Sequence, residues 1–196
     1  MGEVIRVFIA IKLSSQVQDE LRLIGQQLIK RGVHGIRWVK PENIHLTIQF
    51  LGDISKRKLN DIIIGLNEAS NLTMPFRVHI GGMGAFPHVR KPRVLWIGVD
   101  APLELLDLHR NIKRGLEKIE IQTDGKVLRP HLTIGRVKRD ASRHSLEIVS
   151  DMVENYEIST VGEQMVESIH LIESKLRPTG PIYKALAVVK LEESSS

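Results

Sequence analysis

The sequence predicts an α+β fold in which two pseudo-symmetric lobes of mostly antiparallel sheet, with helices on their outer faces, flank a central cleft. Three observations carry that expectation. Strand-like and helix-like stretches interleave without the regular spacing of a doubly wound parallel sheet. The tetrapeptide His-Leu-Thr-Ile stands at 45–48 and again at 131–134. Each copy is preceded by one helix signal and followed, within about a dozen residues, by another, so the halves of the chain echo each other. With 196 residues and no Pro- or Ser-rich linker, a single bilobal domain over residues 1–191 is expected, with a frayed tail, "EESSS", at 192–196.

The elements follow in order. "VIRVFIAI" (4–11) is rich in β-branched residues and reads as the first strand. Ser15-x-x-Gln18 gives a capping-box start to an amphipathic helix that runs to about Lys30 and is stopped by Gly32. "IRWVKPENIHLTIQFLG" reads as two short extended pieces around a Pro41-Glu42-Asn43 turn. A helix starts near Ser55 and reaches about Ala69. Extended segments near 75–83 and 93–99 flank the loop "GAFPHVRKP", and a second long helix spans about 102–119. A turn at Asp124-Gly125 leads into the strand that carries the second tetrapeptide. A helix at about 141–155 precedes strands near 164–174 and 182–191.

Composition narrows the function classes. The chain is 42% hydrophobic and 26% charged, with a mean hydropathy of -0.08, as in an ordinary globular protein. Runs such as "DIIIGL" are far shorter than the roughly 20 residues of a bilayer span, and the N-terminus continues directly into a strand pattern. No membrane association is therefore expected, and the cytoplasm is the expected location. The absence of cysteine excludes disulfides, thiol nucleophiles, zinc fingers and iron–sulfur clusters. A net charge of +5 points to an anionic partner, nucleic acid or phosphate above all. Aromatics at 4% are too sparse for a broad base-stacking sheet.

Successive strand residues point to opposite faces, so His45 and Thr47 share one face while Leu46 and Ile48 share the other; His131 and Thr133 repeat the arrangement. A single His-x-Thr on a strand is most often structural, but two identical copies in matching positions form a pattern that builds a site. Facing one cleft, they would set two imidazoles and two hydroxyls around a small anionic group. Two histidines suit in-line displacement at phosphorus, one removing a proton from the nucleophile and the other protonating the leaving oxygen. An imidazole with an ordinary pKa near ~6.5 can hold either role. The hydroxyls can donate to non-bridging phosphate oxygens. This chemistry needs no cofactor and no metal, and the chain has no HExxH or carboxylate cluster of ligand spacing. The identical motifs do not say which histidine is the acid.

With "RVFIAI", "WVKPENIHLTIQFLGD", "GMGAFPHVRKPRVLWIGV", "RPHLTIGR" and "ESKLRPTGPIYKAL", nearly the whole chain resembles the 2H phosphoesterase superfamily, and specifically the RNA 2′,3′-cyclic phosphodiesterases of the 2′-5′ RNA ligase family. The resemblance implies a bilobal α+β fold with both motifs facing the cleft. It implies that His45 is the proton donor to the leaving 3′ oxygen and His131 the proton acceptor that activates water. The implied partner is RNA ending in a 2′,3′-cyclic phosphate, converted to a 2′-phosphomonoester by a monomeric, metal-independent hydrolase. Two alternatives stay open: 2′-5′ ligation of RNA ends through the same site, and a non-catalytic RNA- or nucleotide-binding module. Gly135 departs from the small residue, often Ala, that the family carries there.

Further candidates are weaker. Phe50 and Arg136 each lie five residues after a motif histidine, where strict alternation turns them away from the cleft. A bulge at Gly135 would bring Arg136 inward to the nucleotide, and both are carried with Thr47 and Thr133 as substrate contacts, although core packing is the commoner role of a strand Phe. The loop "HVRKPR" (88–93) could steer RNA backbone. Tyr183 is expected as a buried strand residue, and His34, His79, His109, His144 and His170 as structural or surface groups.

Overall fold

The computed structural model describes residues 3–123, 127–155, 160–178 and 180–192. The expected turn at Asp124-Gly125 and tail residues 193–196 lie outside the described residues. The elements are β1 (Val4–Lys12), α1 (Ser15–Lys30), β2 (Ile36–Trp38), a 3-10 turn (Pro41–Asn43), β3 (His45–Ser55), a second 3-10 turn (Lys56–Lys58), α2 (Leu59–Ser70), β4 (Phe76–Phe86), β5 (Val94–Val99), α3 (Leu103–Lys118), β6 (His131–Val137), α4 (Arg143–Asn155), β7 (Gly162–Val166), β8 (Ser168–Arg177) and β9 (Gly180–Lys190).

The strands form one curled antiparallel sheet in the order β7-β4-β5-β6-β3-β1-β8-β9, with β2 added on β6. This order is symmetric about its centre, where β3 and β6 pair at Leu46 and Leu132, each the residue after a motif histidine. The expected lobes are thus the two halves of one sheet, one built on β3, β1, β8 and β9 and the other on β6, β5, β4 and β7. The stretch expected as a single strand near 164–174 is two. β7 pairs with β4 in one half, and after Glu167 the chain crosses to the other half, where β8 pairs with β1. No glycine or proline marks that crossing, so a local pattern does not reveal it.

Helix boundaries follow capping chemistry. The N-cap of α1 is Ser14, one residue before the expected box: its hydroxyl accepts from the Val17 amide at 3.3 Å. Gln18 turns outward to donate to the Leu13 carbonyl at 3.0 Å. Gly32, at φ 86°, ends the helix in the left-handed region that glycine enters at no steric cost. Helices α2 and α3 cross closely, because a Cβ on Gly115 would lie 3.2 Å from the Gly65 carbonyl oxygen. One continuous core lies between sheet and helices, with Ile9, Leu46, Ile97, Leu108 and Leu132 all at most 1% exposed. Each such side chain stabilises the fold by about 1.5–3 kcal/mol through burial. The opposite, concave face carries a second, small buried cluster of Phe8, Ala10 and Ile172 with Tyr183 against it. No helix among the described residues is long and apolar enough to cross a membrane.

Candidate active site

Both tetrapeptides open on the concave face. Leu46, Ile48, Leu132 and Ile134 enter the core, while His45, Thr47, His131 and Thr133 line a cleft of about 900 Å³. The histidines are held identically: Nδ1 of His45 donates to the Asn43 carbonyl at 2.8 Å, and Nδ1 of His131 to the Arg129 carbonyl at 2.6 Å. In each case the acceptor lies two residues upstream of the ring. With Nδ1 engaged, the neutral imidazole keeps a free Nε2, the atom left to take or give a proton.

The walls behind the rings differ. His45 stacks on Phe8 with centroids 4.8 Å apart and meets the edge of Tyr183 at 5.2 Å. His131 meets the edge of Phe86 at 4.9 Å and of Trp96 at 6.4 Å. The Trp96 indole lies flat against the sheet: a Cβ on Gly84 would fall 2.1 Å from its Cζ2. Burial pushes the pKa of His45 below the ordinary imidazole value; the Asn43 carbonyl opposes this, and the charges of His131 and Arg136 add to the lowering. Burial raises the Tyr183 phenol, with Arg136 pulling it the other way.

Phe50 and Arg136 both reach the cleft, and both do so through a bulge. On β3 the pairing with β1 steps from Ala10–Thr47 to Ile9–Gln49, leaving Ile48 as the extra residue. On β6 the pairing with β5 steps from Trp96–Thr133 to Leu95–Gly135, leaving Ile134. Each bulge shifts the alternation by one, so two buried residues follow in succession and the next, Phe50 or Arg136, is exposed. Phe50 is 60% exposed, so it does not take the core-packing role that is commoner for a strand Phe. The expected bulge lies beside Gly135 and brings Arg136 to the cleft, and the glycine has a second use. A Cβ there would lie 2.6 Å from Ile36 Cγ2, so glycine is what lets β2 dock on β6.

Other cleft residues were not foreseen in that role. Tyr183 is half-buried and faces the cleft rather than the core, and Phe86, Arg37, Trp38 and Lys40 line it as well. "WVKPEN" runs straight into the first histidine, as "LRP" does into the second, and that adjacency was the available signal. The loop residues His88, Arg90 and Lys91 are not among those lining the cleft. Among the described residues no cluster of three or more His, Asp or Glu side chains could hold a metal ion.

A curled antiparallel sheet that offers two strand-borne histidines and two threonines to one cleft defines the class of two-histidine phosphoesterases. The chain belongs within it to the LigT-like phosphoesterases. The model of that family matches residues 11–96. The chain is 38% identical over 183 residues to the RNA 2′,3′-cyclic phosphodiesterase of Archaeoglobus fulgidus, covering 93% of this chain and 98% of the relative. It is 34% identical over 183 residues to the enzyme of the same name from Aquifex aeolicus, covering 92% and 94%. Among solved structures it resembles a Thermus thermophilus protein with TM-score 0.78 and 28% identity over 95% of this chain and 97% of that one. Escherichia coli LigT complexed with 3′-AMP shares the fold, with TM-score 0.75 and 19% identity over 97% of this chain and 100% of that one.

Proposed function

We propose that this protein is an RNA 2′,3′-cyclic phosphodiesterase that hydrolyses cyclic phosphate ends to 2′-phosphomonoesters by two-histidine general acid–base catalysis. The observation that carries the reading is the matched pair of imidazoles, each with Nδ1 tied to a carbonyl and Nε2 left for the cleft. Nε2 of His131 takes a proton from water, whose oxygen forms the new bond to phosphorus. The bond from phosphorus to the 3′ oxygen breaks, and Nε2–H of His45 supplies the proton that this oxygen needs. Thr47 and Thr133 donate to the non-bridging oxygens, Arg136 balances their charge, and Phe50 offers an apolar face to the nucleotide.

The role of His45 as donor requires it to be protonated in the complex, although burial disfavours its charged form in the free protein. The negative phosphate supplies the opposing effect, because an anion beside an imidazole favours the cation. We further assign a single bilobal unit over residues 1–191, acting as a cytoplasmic monomer. Support comes from the unbroken sheet that runs through both halves and the cysteine-free composition.

The decisive assay incubates the protein with an oligonucleotide ending in 2′,3′-cyclic phosphate, with and without EDTA, and identifies the product end. Turnover to a 2′-phosphate in both conditions is expected. A 3′-phosphate product would overturn the assigned roles, and loss of activity in EDTA the metal-free mechanism.

A further inference from the structure

The concave face holds cations beyond those the acid–base reaction uses. Arg37 on β2 is the direct cross-strand partner of Arg136 on β6, and both exposed side chains line the cleft. Directly opposed residues of an antiparallel pair have Cβ atoms about 5 Å apart, where like charges destabilise. Lys40, just before the first 3-10 turn, lines the same wall. Among the described residues none of these three side chains is paired with a carboxylate, whereas the neighbouring Arg6 is held by Asp53 at 3.0 Å. Among the described residues Glu42 is the one carboxylate lining the cleft, against Arg6, Arg37, Lys40 and Arg136. A fold that opposes two arginines without an acid keeps a cost that a bound anion removes.

The place of this cluster says which anion. β5 pairs Thr133 with Trp96 and Arg136 with Val94, so through the bulge Arg136 stands two strand steps, about 7 Å, along β6 from Thr133, and Arg37 lies a further strand spacing of about 5 Å from it on β2. Arg136 can therefore reach the phosphate held at the threonines, and Arg37, across the strand from it and about one nucleotide step from the threonines, is the cation left for a second phosphate. Guanidinium forks match phosphate oxygens in a bidentate geometry that a point charge lacks.

We propose that Arg37, with Lys40, forms a second phosphate subsite that takes the phosphodiester on the 5′ side of the terminal nucleotide, while the cyclic phosphate lies between the two histidines. The subsite rests on the function proposed above and deepens it: the substrate is a polynucleotide end, read over two phosphates, rather than a cyclic mononucleotide.

The test compares adenosine 2′,3′-cyclic phosphate with its 5′-phosphorylated form, which differs only in carrying a phosphate at the upstream position. For the wild type, kcat/KM is expected to be higher for the 5′-phosphorylated compound by roughly tenfold, the worth of a charged hydrogen bond. The advantage should fall with rising salt, with a slope near -0.7 for one phosphate neutralised. In Arg37→Ala the ratio between the two substrates should fall toward one, and Arg37→Lys, which keeps the charge but not the fork, should retain part of it. A wild-type ratio of one, or a ratio that Arg37→Ala leaves intact, overturns the subsite. The same ratio is read in parallel from calorimetric Kd values for adenosine 2′-phosphate and adenosine 2′,5′-bisphosphate. If neither cyclic compound is hydrolysed, the enzymatic reading fails, and the Kd ratio still decides the subsite by itself.

Discussion

Each motif histidine commits one ring nitrogen to a carbonyl two residues upstream, so the proposed chemistry reduces to two Nε2 atoms. His45→Ala and His131→Ala should each lower turnover by roughly 10²–10⁴-fold while the protein stays folded, the usual contribution of a positioned acid or base. Near-native turnover in either folded variant would dismiss the pair. Burial holds His45 and His170 below the ordinary imidazole range, so the unfolded chain takes up protons first as pH falls. Stability should therefore decline from the ordinary value near ~6.5 downward, and flatten once the folded-state groups also titrate. Urea midpoints between pH 7 and 5 measure this, and His45→Gln should weaken the dependence. Imidazole NMR should show His45 titrating below the usual range in the free protein and moving up when a phosphate product is added. Phe50→Ala should cost well under the ~3–5 kcal/mol of a buried Phe and should act on KM instead. The His-x-Thr pairs were legible because side-chain period two follows from strand geometry alone. Phe50 was legible only by its equivalence with Arg136, because a bulge at Ile48 inverts the alternation and Gln49 gives no hint of it.

The same bulge on β6 sits beside Gly135, and there the sequence does hint, since glycine inside a strand marks a bulge or a close approach. Both hold here. Gly135→Ala would press a methyl group against Ile36 Cγ2 at 2.6 Å, so a loss of about 1–3 kcal/mol is expected as β2 is pushed off β6. Chemical denaturation measures it. Gly84→Ala is the harsher change, because its Cβ would occupy the space of the Trp96 ring. The indole borders His131, so altered Trp96 fluorescence should accompany lower turnover. Gln164 on β7 ties the two halves together, accepting from the Ser14 amide and donating to the Lys12 carbonyl, both at 2.8 Å. No local pattern announces that tie: it joins residues 150 apart in sequence, and a polar amide in a strand reads as solvent-facing filler. Helices were read correctly in type and to within a few residues, since caps and glycine stops are local events. The split of one expected strand into β7 and β8 was invisible for the opposite reason, because its cause is pairing with strands far away.

At the scale of the molecule, the approximate two-fold axis through Leu46 and Leu132 gives phosphorus two equivalent flanks, as in-line displacement requires. The proposed reaction also needs one imidazole protonated and the other neutral in the same complex. The pH profile of kcat/KM should accordingly be bell-shaped. A monotonic rise to pH 9 would indicate a base other than histidine. The sheet order has a further consequence for how the chain is made. β1 leaves the ribosome before β3 and β8, yet it ends between them, and the register that covers its second edge, Val7–Glu173 to Ala10–His170, cannot form until β8 is synthesised. The half built on β4 to β7 is contiguous in sequence and can close before that. Until β8 arrives, the apolar "VIRVFIAI" is an open strand edge, the feature that most invites pairing between nascent chains. Chains truncated after Val166 should therefore collect in the insoluble fraction while the full chain stays in solution, and co-expression of a segment carrying β8 and β9 should recover part of them.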